Sequence, residues 1–325
     1  HIFMFHGMGD HTDGWGRAIE KDWKSKIRKY LGDDVAGAFN ASVTFHPVTY
    51  DQVFDAHRQA IRKQTIGMSG RLGDSVGGSG AAEVYVAILE FIAGLGDGDG
   101  LEEFWREAIL DVVTWVNGQA RPNVRATIVE QIAAVVKAHP SDQFSFFAHS
   151  LGTAVVSELF GDIQADLAAD DTMPSAFQLE SYVSCASVAA LLWPNGEGNG
   201  IYVDAKIPEG GSHLRPMDTP EWVAAKRYIN IANDFDPFVC VNRFAPTKRF
   251  RKQGRYTPIV CDHTHYLNTH AIEHYLLNPK VLAAVTAGFV PSTGGGPLTP
   301  EHYKTLQRRK MKPTKVPESN TKDYK

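Results

Sequence analysis

Cysteine is scarce in this chain: three in 325 residues, Cys185, Cys240 and Cys261, each within an apolar stretch and none in a C-x-x-C pair. That spacing excludes a zinc ribbon and a disulfide framework, and leaves small core side chains as the plain reading. Long hydrophobic runs are missing as well. Gly, Ser or charge breaks every apolar stretch before the roughly 18 residues a transmembrane helix needs. Excess charge is small, a formal −4 at pH 7, which argues against a nucleic-acid binder driven by counterion release. The first residues, His1-Ile2-Phe3-Met4-Phe5, carry no basic n-region, so no targeting segment is legible there and the compartment stays open.

What the chain has is apolar material: 43% hydrophobic residues suffice for a large core without a disulfide or metal staple. Ile2 to Phe5 reads as a buried strand that ends at His6-Gly7-Met8-Gly9. Trp15, Ile19, Trp23, Ile27 and Tyr30 fall at steps of four and three, an amphipathic helix, and Val43 to Thr49 reads as the next strand. From Asp51 to about Leu110 the pattern loosens around two Gly-rich stretches, which reads as an insertion or lid. The Gly94 to Gly100 run lacks the ligand spacing of an EF-hand and reads as a loop. Val124 to Ala138 is a helix that stops at His139-Pro140, and Gln143 to Ala148 is a short strand. Helix Thr153 to Phe160 follows, then strands at Tyr182–Ala190, Arg227–Ala232 and Thr257–Cys261. Strands alternating with helices predict an α/β domain with a mainly parallel sheet.

The sharpest local signal is Phe144-Ser145-Phe146-Phe147-Ala148-His149-Ser150-Leu151-Gly152. It sets a strand, a serine and a helix in the context of a G-x-S-x-G elbow, with Ala148 in place of the first glycine. A nucleophile on a strained turn needs small residues two before and two after it, and Ala148 and Gly152 meet that demand. The competing reading of Ser150, a helix N-cap, predicts the same local structure but does not require the small flanks.

At these residues the chain resembles the α/β-hydrolase family, within it the lipase- and esterase-like members that carry A-H-S-L-G or G-H-S-L-G. The resemblance covers roughly Ile2 to Ala287 and is weak across Asp51 to Leu110. It implies an α/β-hydrolase fold, a mainly parallel sheet flanked by helices, over residues 1–290 with cap or lid insertions at about 51–110 and 191–222. The implied activity is that of a serine esterase, a lipase or phospholipase, working through an acyl-enzyme. The resemblance also implies oxyanion donors at Leu151, after the serine, and at Met8 in the His6-Gly7-Met8-Gly9 loop.

The family's chain order is Ser, acid, His. Asp236, in Asn233-Asp234-Phe235-Asp236-Pro237, resembles the acid loop, with Asp234 as the second candidate. For the base, His263 forms an H-x-x-Y arrangement with Tyr266 that resembles the family's histidine loop, and His265 is its competitor at period two. His263, His265, His270 and His274 could instead be ligands of a metal, but no H-E-x-x-H occurs and spacing fixes no carboxylate, so neither metal nor cofactor is expected.

Two features bear on substrate and partner. Lys248 to Tyr256 holds five cations and two aromatics, a composition suited to an anionic lipid interface or to a solvated hairpin. The Leu191 to Trp222 insertion, with Leu191, Leu192 and Trp193 at its base, fits an apolar cap over an ester or lipid substrate. The segment after 290 becomes basic, with eight Lys/Arg against three Asp/Glu from Glu301 onward, and reads as a solvated tail. An acyltransferase on the same triad, and a binding module that keeps the fold without chemistry, remain open alternatives.

Overall fold

In the computed structural model the described residues are 1–7, 14–66, 111–112, 114–115, 120–156, 179–189, 225–240, 256–261 and 269–289. They build a six-stranded, all-parallel sheet with helices on both faces, an α/β architecture. Its strands are β1 (Ile2–Phe5), β2 (Phe45–Val48), β3 (Ser145–His149), β4 (Leu179–Cys185), β5 (Ala225–Asn233) and β6 (Tyr256–Cys261), in the order β2-β1-β3-β4-β5-β6. Among the described residues the helices with both ends defined are α1 (Trp15–Leu31), α2 (Asp33–Ser42), α3 (Asp51–Ile66), α4 (Arg121–Ala138), α5 (Pro237–Cys240), α6 (Ile272–Leu276) and α7 (Pro279–Phe289), and residues 151–156 are helical as well.

Side chains alternate across a strand, so each strand feeds two cores. Phe3, Phe5, Phe146, Ala148, Tyr182 and Tyr228 point to one face, where they meet Val124, Ile128, Ile132 and Val136 of α4 and Phe54 of α3. Ile2, Met4, Phe147, Val183, Cys185, Ile229 and Ile231 point to the other, under Ile19, Trp23 and Ile27 of α1, Tyr275 of α6 and Leu282 and Val285 of α7. An inner strand of a parallel sheet covered on both faces has no solvated side, so IFMF and LESYVSC are buried at every position, Glu180, Ser181 and Ser184 included. Trp23 fastens the second core, its indole N–H donating to Thr286 Oγ1 at 3.3 Å from within a fully buried site.

Proline sorts the strands. Pro47 in β2 and Pro258 in β6 cannot donate to a ladder, and the two strands that carry them are the two edges. Gln131 of α4 steps in after β2 ends: its amide nitrogen donates to Thr49 O at 2.8 Å and its amide oxygen accepts from Thr49 N at 3.0 Å.

Within the stretch from Asp51 to about Leu110, expected to be an insertion or lid, residues 67–110 lie outside the described residues and Asp51–Ile66 is a regular helix, α3. Its inward face carries Phe54 and Arg58, one turn apart, and Arg58 is buried in an ion pair with Asp111 at 2.6 Å and a second pair with Asp55. The stretch 191–222 and the segment after 290, together with Lys248 to Arg255, lie outside the described residues. Cys185 and Cys261 are buried, as expected of small core residues, and burial pushes the Cys185 thiol well above its usual pKa. Among the described residues no helix is long and apolar enough to cross a membrane.

Candidate functional site

The strand order reverses direction at one place. The chain runs outward from β1 to β2, then returns to the far side of β1 as β3 and continues to β6. Such a switch point opens a crevice at the carboxyl ends of the two strands that flank it, here β1 and β3. Those ends carry His6-Gly7 and His149-Ser150.

Ser150 occupies the first position after β3 with φ 53, and helix begins at residue 151. An N-cap residue has extended dihedrals and turns its oxygen onto the helix amides. Ser150 does neither: its backbone is left-handed and its Oγ lies 2.7 Å from His270 Nε2. The cap reading therefore fails on geometry. Its amide donates to Cys185 O of β4 at 3.1 Å, and Thr153 braces the turn by donating from N and Oγ1 to Ser150 O.

The small flanks have a measurable reason. A Cβ on Gly152 would sit 2.4 Å from His6 O and 2.8 Å from Phe5 O, both backbone atoms that cannot swing aside. A Cβ on Gly7 would sit 2.8 Å from Ser150 Cβ and 3.2 Å from its Oγ. Glycine at both positions lets the end of β1 lie directly against the serine and the helix behind it.

The acid comes from the end of β5. Asn233 Oδ1 accepts from Phe235 N at 3.0 Å, turning the chain, and Asp236 Oδ1 accepts from Phe238 N at 3.0 Å at the start of α5. Asp236 is fully buried and its Oδ2 lies 2.7 Å from His270 Nδ1. Tyr275, buried on α6, donates its hydroxyl to the same Oδ2 at 2.5 Å. Burial by itself raises the Asp236 pKa, but His270, the Tyr275 hydroxyl and the Phe238 amide outweigh it and hold the carboxyl below its ordinary value. Burial, with the adjacent Asp236 carboxylate, pushes the Tyr275 phenol far above its usual range, so it stays a donor. Asp234, the second acid candidate, is exposed in the turn, and its amide bonds to Cys261 O.

The histidine between serine and acid is thus His270. His263 and His265 lie outside the described residues, as does Met8. His270 stands just before α6, and contacts besides the relay hold it. Thr269 Oγ1 donates to Phe235 O at 2.8 Å, His149 Nε2 lies 2.8 Å from His270 O, and the Phe238 ring packs 4.6 Å from the imidazole. The fourth histidine of that stretch, His274, is fully buried on α6.

Beneath the crevice lies a buried brace. Tyr50 stacks on His6 at 4.0 Å and donates its hydroxyl to His6 O at 2.7 Å, while His6 Nε2 lies 3.2 Å from Asp51 Oδ2. These contacts hold His6 at the end of β1. Leu151 is buried at the first helical position, and an amide there has no acceptor within its own helix.

Chemically, a neutral imidazole that donates Nδ1–H to a carboxylate presents a bare Nε2 to the serine hydroxyl, an arrangement that can draw off its proton. Comparison with known proteins found no match to this chain among family models, curated proteins or solved structures.

Proposed function

We propose that this protein is a serine hydrolase of the α/β-hydrolase type that cleaves carboxylic esters through an acyl-enzyme. The observation that carries the proposal is the relay at the switch point: left-handed Ser150, with Oγ 2.7 Å from His270 Nε2 and Asp236 Oδ2 2.7 Å from His270 Nδ1. Support comes also from chain order, Ser, Asp, His, and from the strand–turn–helix setting of the serine.

In this reading Ser150 Oγ attacks the ester carbonyl as His270 Nε2 takes its proton. Asp236 holds the imidazole in the productive tautomer and stabilises the imidazolium. The Leu151 amide, and a donor from the loop that begins at Gly7, receive the charge on the carbonyl oxygen. His270 returns the proton to the departing alcohol, then activates the water that releases the acid. Phe235, 54% exposed beside the acid, and Phe238 against the imidazole put apolar surface at the rim, which suits a lipid-like acyl group.

The test is hydrolysis of p-nitrophenyl esters of increasing chain length, with labelling by a fluorophosphonate, in wild type and Ser150→Ala. Turnover and labelling should both disappear in the variant. A wild type that neither labels nor turns over, or a variant that still does, overturns the proposal. Acyl transfer to an added alcohol in preference to water would reassign the same site to an acyltransferase.

A further inference from the structure

At the opposite end of the strands from Ser150, three imidazoles and a carboxylate converge. His1 precedes β1, with its carbonyl accepting from Ser145 N at 2.9 Å and its nitrogen donating to Gln143 O at 2.8 Å. These bonds continue the β1–β3 pairing and fix where the His1 ring lies. His139 closes α4, and Asp142 N donates to His139 O at 3.0 Å, so a tight turn brings His139 and Asp142 side by side. His46 reaches the cluster from β2.

We propose that His1, His139 and Asp142 form a binding site for a zinc-class divalent cation, with His46 as the group that orients His1. Ligand atoms of the three residues all lie within 4.8 Å of one another, and among the described residues this is the one such grouping. The distances suit the ion. Zinc bonds of about 2.0–2.1 Å in a tetrahedron place neighbouring ligand atoms about 3.3 Å apart. Asp142 Oδ2 stands 2.9 Å from His1 Nε2 and 3.5 Å from His139 Nδ1.

The other nitrogen of His1 completes the pattern. A ligating histidine is normally held through its second ring nitrogen by an outer partner that sets the tautomer. His1 Nδ1 lies 2.7 Å from His46 Nε2, while Phe144 stacks on the His1 ring at 5.5 Å. With Nδ1–H donated to His46, Nε2 faces Asp142, and the cation takes the place of the proton those two atoms would otherwise share.

Two imidazoles and one carboxylate favour zinc over magnesium or calcium, which take oxygen ligands. The last carbonyls of α4 add a negative field at the same point, since a helix C-terminus favours a cation. The fourth position is left for water. Bound there, the ion ties the end of α4 to the entry of β1, at least about 16 Å of extended chain from Ser150 at about 3.3 Å per residue. The inference therefore stands apart from the ester-hydrolase proposal.

Zinc chloride titrated calorimetrically into the untagged chain tests it. One equivalent should bind in the micromolar range or tighter, and His139→Ala and Asp142→Asn should each weaken binding at least tenfold, while His270→Ala leaves it intact. His46→Ala should cost about 10–100-fold, the usual loss for an outer partner. Zinc should raise the thermal midpoint of wild type and not of His139→Ala, and cobalt(II) should give tetrahedral absorption bands in wild type alone. Both primary side chains are about half exposed, 47% for His139 and 49% for Asp142, so these variants fold. Absence of binding, or binding that neither substitution weakens, would reduce the cluster to a His–Asp ion pair and overturn the inference.

Discussion

Tyr275→Phe isolates one bond at the acid. The ring of Tyr275 is fully buried and stays in place, so the substitution removes only the hydroxyl that donates to Asp236 Oδ2. Asp236 keeps two donors, His270 Nδ1 and Phe238 N. A hydrogen bond to a charged group contributes about 1.5–3 kcal/mol, against about 1 kcal/mol for a neutral pair. At pH 7 the variant should therefore unfold with about 1.5–3 kcal/mol less free energy than wild type.

The pH dependence then separates charge from packing. The folded pKa of Asp236 is depressed, so its contribution is present above the unfolded value of about 3.9 and is lost as pH falls through the folded value. Without the tyrosine hydroxyl the folded pKa moves back toward the unfolded one, so acid costs the variant less. The gap between the two proteins should narrow below about pH 4, toward about 1 kcal/mol or less. Urea unfolding followed by tryptophan fluorescence, in steps from pH 7 down to the lowest pH at which both fold, measures this. A gap that stays constant with pH would refute the account of Tyr275 as a donor to a carboxylate.

Three further outcomes are expected. Ser150→Gly should be more stable than Ser150→Ala by about 1 kcal/mol, because both lose the hydroxyl and only alanine keeps the left-handed strain; alanine the more stable in urea melts would contradict the φ of 53 at this position. Gly152→Ala should cost about 1–3 kcal/mol, since the added Cβ meets backbone oxygens at 2.4 Å and 2.8 Å, and a change under about 0.5 kcal/mol in the same assay would show that the end of β1 can yield. Asp236→Asn, on the best ester found, should lower kcat by about 10⁴ with little change in KM, because an amide no longer holds the productive tautomer; turnover within tenfold of wild type would remove Asp236 from the mechanism.

The strands were legible because the inner strands of a sheet buried on both faces are rich in apolar residues; each expected strand overlaps an observed one, although the one expected over Tyr182–Ala190 is observed at Leu179–Cys185. Helix α3 was not legible. Its inward face puts Arg58 one turn after Phe54, and a charge buried by its partner Asp111 breaks the periodicity on which a helix is recognised. Helix α2 buries only Ala36 and Phe39, too little to leave a pattern. Ser150 and Asp236 were legible from neighbours in sequence, whereas the histidine depends on how far the chain travels after β6. His263 is close to the strand end, but His270 stands where the pair of helices α6 and α7 begins, with Tyr275 a turn later to reach the acid. Distance to the final helical pattern was the better signal. His1, His46 and the His139–Asp142 turn are far apart in sequence, and the sheet brings these three segments together.

The ends of β3, β4 and β5 are chained by single backbone bonds. Ser150 N reaches Cys185 O, Ala186 N reaches Ile231 O, and Asp234 N reaches Cys261 O, with Ala186 repeating the left-handed turn of Ser150 at φ 51. The serine's posture is thus propped by strands made after it, and its histidine partner lies 120 residues downstream. During synthesis the hydroxyl leaves the ribosome well before its base, and parallel pairings of this separation are slow to form. On the proposed function, a growing chain would carry Ser150 without its base until His270 and the helices α6 and α7 have been made.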